Sequence, residues 1–409
     1  MSTMKSVQYN DSIVIIPHFE SLKIFCFSFI WGMWTMAKRV VLQMLKSSSF
    51  EWNDIDNPPL CLVDTKLGQH NYMKIKGKGI KLHYVEAGDK NKPTLLLLHG
   101  FPDCWMSWFN QIPELSEHFR VIAIDLKGFG DSDKPLARRS YRLELLLEEL
   151  TMFISSLGIT RCSIIGHDLG ALFGWYLVHL NPDLVSKFVA ISCPHPNVYW
   201  DDIPRGSRFN KNWIELAQLP ILPELDALKN DLEIITQCYG HLKSKKNYEG
   251  YIEAYKYTFN RREDWTGAIN YFRNLPFYRL EGESLREIDV RCLLITGKVD
   301  ESVPLESVVK STEFIQKYYL KVIENAGHYP HQENPEKVNK ALLEFLLDPP
   351  LMKNKKDVQS SGGIFGKMMG SVSNGFNYGS EVLSNIKNDP KVATASLLSK
   401  TLYMGAKPS

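Results

Sequence analysis

The segment Gly166-His167-Asp168-Leu169-Gly170-Ala171 constrains this 409-residue chain more than any other. The apolar run Cys162-Ser163-Ile164-Ile165 before it reads as a buried parallel strand. The residues after it, Ala171 to Leu180, read as a helix that stops at Asn181-Pro182. A strand that turns straight into a helix leaves no room for side chains beside its central residue, and glycines supply that room. The residue thrust out on this turn is Asp168. A carboxylate is ionised near neutral pH without help, so it attacks an electrophilic carbon directly. The bland alternative is an ordinary βα turn, where glycine, histidine and aspartate are all common.

The regions around this turn read as α/β. Short β-rich runs recur at Thr94 to Leu98, Val121 to Asp125, Cys162 to Ile165, Lys187 to Ser192, Cys292 to Thr296 and Tyr319 to Ile323. Helical periodicity fills the gaps at Leu143 to Leu157, Leu172 to Leu180 and Pro335 to Leu347. Strands alternating with helices imply a mostly parallel sheet flanked by helices on both faces. Between Cys193 and Arg291 the rhythm breaks, and the chain is helix-like and rich in tryptophan, tyrosine and charge. That interval is expected to be a helical lid inserted between two sheet strands, where substrate contacts would sit. The expected organisation is an N-terminal segment 1–58, core 59–193, lid 194–290, core 291–350 and tail 351–409.

The two ends differ from the core. Leu22 to Ala37 is apolar and aromatic, with Lys23 and Lys38-Arg39 at its borders. A membrane anchor, an interfacial helix and a cleaved signal peptide all fit it, and the anchor is the preferred reading. Flanking basic residues lean slightly toward a cytosolic C-terminal side. Glu51 to Pro59 looks like a linker. In the tail, Ile364, Phe365, Met368, Met369, Val372 and Phe376 recur at helical spacing. A flexible tail is expected there, with a weak membrane-surface helix as the alternative.

Composition excludes several classes. A formal charge of +2 gives no reason to expect nucleic acid. The cysteines at 26, 61, 104, 162, 193, 238 and 292 are odd in number and lack C-x-x-C spacing, so buried thiols are expected rather than disulfides or a zinc site. The one N-x-S/T sequon, Asn10-Asp11-Ser12, lies outside the expected catalytic region, in keeping with a reducing compartment for the core.

Downstream residues complete a constellation in the order nucleophile, acid, histidine. The run Leu293 to Gly297 ends a strand and leads to Asp300, the expected acid, with Glu301 its local competitor. Asn325-Ala326-Gly327-His328-Tyr329-Pro330 is a loop after the last strand, and His328 is the expected base, with His331 the alternative. His99-Gly100-Phe101-Pro102 follows a buried strand. Backbone N–H groups of Phe101 and Leu169 would then supply an oxyanion hole, although glycine and proline also suit an ordinary turn. The glycine-rich loop Asp125 to Ser132 has neither the helix context nor the lysine register of a nucleotide site.

With these residues in place, the chain resembles the Asp-nucleophile branch of the α/β-hydrolases, and most of all the membrane-anchored epoxide hydrolases. The resemblance runs from about Tyr72 to Leu347 and rests on His99 to Pro102, Asp125 to Ser132, Gly166 to Ala171, Gly297 to Asp300 and Gly327-His328. It implies attack by Asp168 on an epoxide carbon, then hydrolysis of the ester by water that His328 activates and Asp300 orients. It implies no cofactor, no metal, a lipophilic small-molecule substrate and a membrane-associated protein, at the endoplasmic reticulum with a cytosolic catalytic domain. Family members protonate the departing alkoxide with two lid tyrosines, and here the pattern departs. The matching positions carry Trp213 and Phe272, with Tyr271 one place away as the candidate acid. Tryptophan donates an N–H but no useful proton, and phenylalanine donates nothing. The stretch Trp213 to Gln218 also resembles the lid of fluoroacetate dehalogenases, but Leu169 and Leu172 stand where that family carries arginines. Haloalkane dehalogenases carry tryptophan directly after the nucleophile, where this chain has Leu169. The expected function is hydrolysis of lipophilic, fatty-acid-like epoxides to diols. The alternatives are another Asp-nucleophile hydrolysis such as dehalogenation, or a catalytically weakened lipid-binding or interaction protein at a membrane.

Overall fold

Runs such as Leu95 to Leu98, Val121 to Ile124 and Cys292 to Ile295 are buried along their whole length, as strands covered on both faces must be. In the computed structural model they are interior strands of an eight-stranded sheet. The structure describes residues 12–45 and 57–347, apart from 202, 204–206, 208, 247 and 283–286. The tail, most of the expected linker and Asn10-Asp11 of the sequon lie outside the described residues.

The strands are β1 (Ile13–Ile15), β2 (Gln69–Lys74), β3 (Lys81–Ala87), β4 (Thr94–Leu98), β5 (Arg120–Ile124), β6 (Cys162–His167), β7 (Val185–Ile191), β8 (Tyr278–Leu280), β9 (Arg291–Gly297) and β10 (Tyr318–Ile323). The main sheet runs β10-β9-β7-β6-β4-β5-β3-β2. Its pairs are parallel except those made by β3, which runs antiparallel to both β2 and β5. Sequence periodicity marked six of these strands and missed β2 and β3. In β2 no residue is fully buried, and its sequence QHNYMK carries almost no apolar signal. Helices Leu143–Ser156, Leu169–Leu180 and Pro335–Leu347 flank the sheet where the periodicity placed them.

Between β7 and β9 the chain forms helices Pro196–Asp201, Lys211–Ala217, Leu222–Ala227, Lys229–Cys238, Tyr248–Thr258 and Arg262–Asn274. The last of these seats directly on the glycine-rich loop after β5. A Cβ on Gly267 would stand 2.7 Å from the Gly128 Cα, and Gly128 itself has φ +88. The Asp125 to Ser132 loop is therefore shaped as a seat for the lid. Arg273, buried, then staples the lid internally by donating to the Glu224 carboxylate and to the Ala217 and Leu219 carbonyls.

The N-terminal segment departs from expectation. Residues His18–Leu45 form one helix of 28 residues, yet no helix among the described residues is long and apolar enough to cross a membrane. The reason lies in its charges. Glu20, Lys23, Lys38 and Arg39 leave an uncharged stretch from Ile24 to Ala37, only about 21 Å of helix against a hydrocarbon core of about 30 Å. The described part of this helix packs on the lid. Phe25 stacks on Phe277 at 5.6 Å between ring centroids, and Gly32 lies against Leu219. Upstream, β1 pairs antiparallel with β8 at the end of the lid.

Candidate active site

Asp168 sits between β6 and helix Leu169–Leu180 with φ 48 and ψ −117, a left-handed conformation that non-glycine residues rarely adopt. Its neighbours make the turn possible. A Cβ on Gly170 would lie 2.2 Å from the Leu98 carbonyl oxygen, and one on Gly166 would lie 2.4 Å from the Ala171 backbone. The turn is fixed by the Asp168 N–H donating to the Ile191 carbonyl at 3.0 Å and the Leu172 N–H donating to the Asp168 carbonyl at 3.0 Å. Strand β4 delivers the facing loop. There the Phe101 N–H donates to Asp168 Oδ1 at 3.1 Å, and the Leu169 N–H also bonds this carboxylate. Both expected oxyanion donors therefore converge on one oxygen-bearing group.

The histidine and second acid meet on the other side. His328 Nε2 lies 3.4 Å from Asp168 Oδ2, and His328 Nδ1 lies 3.0 Å from Asp300 Oδ2. Asp300 is fully buried, and its other oxygen accepts the N–H groups of Ser302 at 2.8 Å and Val303 at 3.0 Å. That fixes its carboxylate and, through it, the imidazole plane. Glu301, the local competitor, is exposed. His331, the alternative base, is buried against Trp108 and within 3.0 Å of Ser107 Oγ, and burial pushes its pKa well below the usual histidine value.

Sequence reasoning missed how the histidine loop is held. Glu333 accepts the Gly327 N–H at 2.8 Å and the Tyr329 N–H at 3.0 Å, clamping the backbone on both sides of His328. Gly297 is also obligatory, since a Cβ there would lie 2.1 Å from the Gly327 carbonyl oxygen. The signal for Glu333 was its position five residues after His328, within the loop-closing turn, but carboxylates at that spacing are too common to single out.

Charge is partitioned across the site. Burial opposes the charged form of His328, but the Asp300 and Asp168 carboxylates overcome that and lift its pKa to about 10. Burial likewise opposes an ionised Asp168, and the His328 hydrogen bond and charge more than offset it, so its pKa falls below the usual aspartate value. The pair therefore rests as imidazolium and carboxylate. His167, buried beneath them, is held neutral by burial and by its histidine neighbours, and its Nε2 meets the His328 carbonyl at 2.9 Å.

The lid places aromatic rings above Phe101. Ring centroids of Phe272 and Phe209 each lie 4.8 Å from that of Phe101, and Trp213 lies at 5.5 Å. Trp213 and Phe272 thus both pack against the Phe101 ring. Tyr271 does not reach the carboxylate as a donor. Its hydroxyl donates to the Lys127 carbonyl at 2.7 Å, because the face of helix Arg262–Asn274 that carries it packs on the seat loop rather than over Asp168. Among the described residues no group of His, Cys, Asp and Glu side chains is placed to hold a metal ion.

Comparison with known proteins agrees with this geometry. Residues 93–335 match the family described as alpha/beta hydrolase fold. Epoxide hydrolase 3 of Xenopus tropicalis is 34% identical over 312 residues, covering 74% of this chain and 84% of that protein. Epoxide hydrolase 4 of Homo sapiens is 32% identical over 308 residues, covering 73% of this chain and 84% of that protein. Among solved structures, epoxide hydrolase VrEH1 from Vigna radiata superposes with a TM-score of 0.58 at 26% identity, over 69% of this chain and 99% of that one. The chain belongs to the α/β-hydrolase fold family and, within it, to the epoxide hydrolases.

Proposed function

We propose that this protein hydrolyses lipophilic epoxides to diols through an ester on Asp168. The observation that carries the reading is the placement of one carboxylate between two N–H donors and an imidazolium, under an aromatic lid. Asp168 Oδ2 attacks an epoxide carbon and the carbon–oxygen bond of the ring breaks. Oδ1, already at the Phe101 N–H with the Leu169 N–H on the same carboxylate, becomes the ester carbonyl oxygen. Esterification also removes one of the two negative charges that hold the proton on His328. The imidazolium pKa then falls, the proton leaves, and the free base takes a proton from the water that attacks the ester carbonyl. The charge that develops on Oδ1 meets donors already in position, and collapse releases the diol and restores Asp168.

The test is diol formation by purified protein from a reactive aryl epoxide and from a long-chain fatty epoxide, beside Asp168→Ala. The reading expects diol from the native chain and none from the variant. Absence of diol from both substrates favours instead a lipid-binding protein that kept the fold.

We also propose that helix His18–Leu45 lies along a membrane surface instead of crossing the bilayer. Its face toward the lid is packed, while Phe19, Leu22, Phe29, Ile30, Met33 and Trp34 are exposed at helical spacing. An apolar face of this kind flanked by Lys23, Lys38 and Arg39 suits the boundary between acyl chains and anionic headgroups.

A further inference from the structure

Charge builds up on Asp168 Oδ1 only when water attacks the ester, so that step needs the Phe101 N–H and the His328 ring held in one geometry. A single turn of the lid touches both loops that bring them. Helix Lys229–Cys238 ends at Tyr239, which is fully buried, and a short turn over Gly240–Ser244 follows. Tyr239 reaches the β4 loop. Its hydroxyl donates to the Pro102 carbonyl at 2.7 Å, one residue beyond the Phe101 N–H that binds Asp168 Oδ1. The next residue, Asp103, is already fixed, because its carboxylate accepts the Cys104 N–H at 2.8 Å and Ser107 Oγ at 2.6 Å. The Tyr239 bond therefore bears on the short span between Asp103 and the oxyanion donor.

Two residues on, His241 faces the other loop. Its Nε2 donates to Gln332 Oε1 at 3.0 Å, and its ring stacks on that of Tyr329, next to His328, with centroids 4.8 Å apart. Gln332 carries the contact back toward the β4 loop. Its Nε2 donates to Ser107 Oγ at 3.1 Å and to the Tyr255 hydroxyl at 3.2 Å. Tyr255 in turn stacks on Tyr239, with 3.6 Å between centroids and 12° between planes. Tyr239, Tyr255 and Gln332 are all fully buried, where a hydrogen bond is stronger than in water and costly to leave unmade.

We propose that Tyr239 and His241 form a latch through which the lid positions the oxyanion donor and the catalytic histidine for ester hydrolysis. The inference rests on the epoxide-hydrolysis reading above. Both are positioning residues, Tyr239 acting through Pro102 and His241 through Gln332 and Tyr329. The two chemical steps differ in how much they need the latch. Attack by Asp168 draws charge away from Oδ1 and uses no base. Hydrolysis of the ester returns charge to Oδ1 and needs His328 aimed at the water.

The experiment is rapid-quench intact-protein mass spectrometry of a single turnover of styrene oxide, which reads growth and decay of the Asp168 ester separately. It compares native protein with Tyr239→Phe, which keeps the stacked ring and loses only the hydroxyl, and with His241→Gln. Thermal midpoints establish folding, and His241→Gln carries the test alone if Tyr239→Phe does not fold. The expected result in each folded variant is ester decay at least about tenfold slower, with ester growth within about twofold of native. Decay at the native rate in a folded variant, or equal slowing of growth and decay, overturns the latch and leaves epoxide hydrolysis standing. A native protein that forms neither ester nor diol overturns the epoxide reading and the latch with it.

Discussion

Asp168 and His328 share a proton economy that the whole proposed cycle depends on. Each is only 18% exposed, and each holds the other in its charged form. The folded pKa of His328, about 10, lies above the ordinary histidine value of 6.5, so this ion pair adds stability that is complete below pH 6.5. As pH rises from there through 10 the imidazolium is lost in the native state, and the added stability goes with it. Urea unfolding of native protein and His328→Gln should therefore show the native protein losing more stability between pH 6.5 and pH 10 than the variant does. Parallel losses would contradict a proton held by Asp168 and Asp300. At this scale the sequence was informative wherever a residue type is rare in its context. An aspartate on a glycine-walled turn, and a histidine after Ala326-Gly327, stood out against their surroundings. Tyr271 was misleading because one residue of helical rotation, about 100°, decides which face a phenol serves, and only packing on Gly128 sets that rotation. Glu333 gave no local signal, since its role depends on a turn's closure.

Elements carry the next layer of meaning. Parallel strands announce themselves because burial on both faces leaves continuous apolar runs, as in β4 and β9. The edge strand β2 has one neighbour and few buried residues, so its pattern does not differ from that of a loop. The N-terminal helix illustrates the limit of reading hydrophobicity as membrane insertion. Its apolar residues serve two masters, with Phe25 and Gly32 meeting the lid and Phe29, Ile30, Met33 and Trp34 facing outward. If the outward face rests on lipid, Phe29→Glu with Trp34→Glu should reduce sedimentation of the protein with vesicles of anionic phospholipid by about tenfold or more, since each buried large side chain contributes about 1.5–3 kcal/mol. Unchanged sedimentation would contradict the surface-helix proposal.

On the scale of the whole molecule, four separate stretches meet at one candidate centre. The β4 loop brings the Phe101 N–H, the β6 turn Asp168, and the loops after β9 and β10 Asp300 and His328. The sheet order puts β4 beside β6, so Phe101 meets Asp168 by register rather than by sequence proximity. The lid closes over this centre from chain inserted between β7 and β9, which is why its contents could be located from a broken rhythm but its contacts could not. In the proposed cycle Asp168 becomes covalently esterified and His328 removes the ester. Intact-protein mass spectrometry of His328→Gln incubated with styrene oxide, followed by peptide mapping, checks both steps. One adduct with the full mass of the epoxide should accumulate, located on Asp168 and absent from Asp168→Ala. Diol formation by the native protein with no adduct on Asp168 in His328→Gln would contradict it.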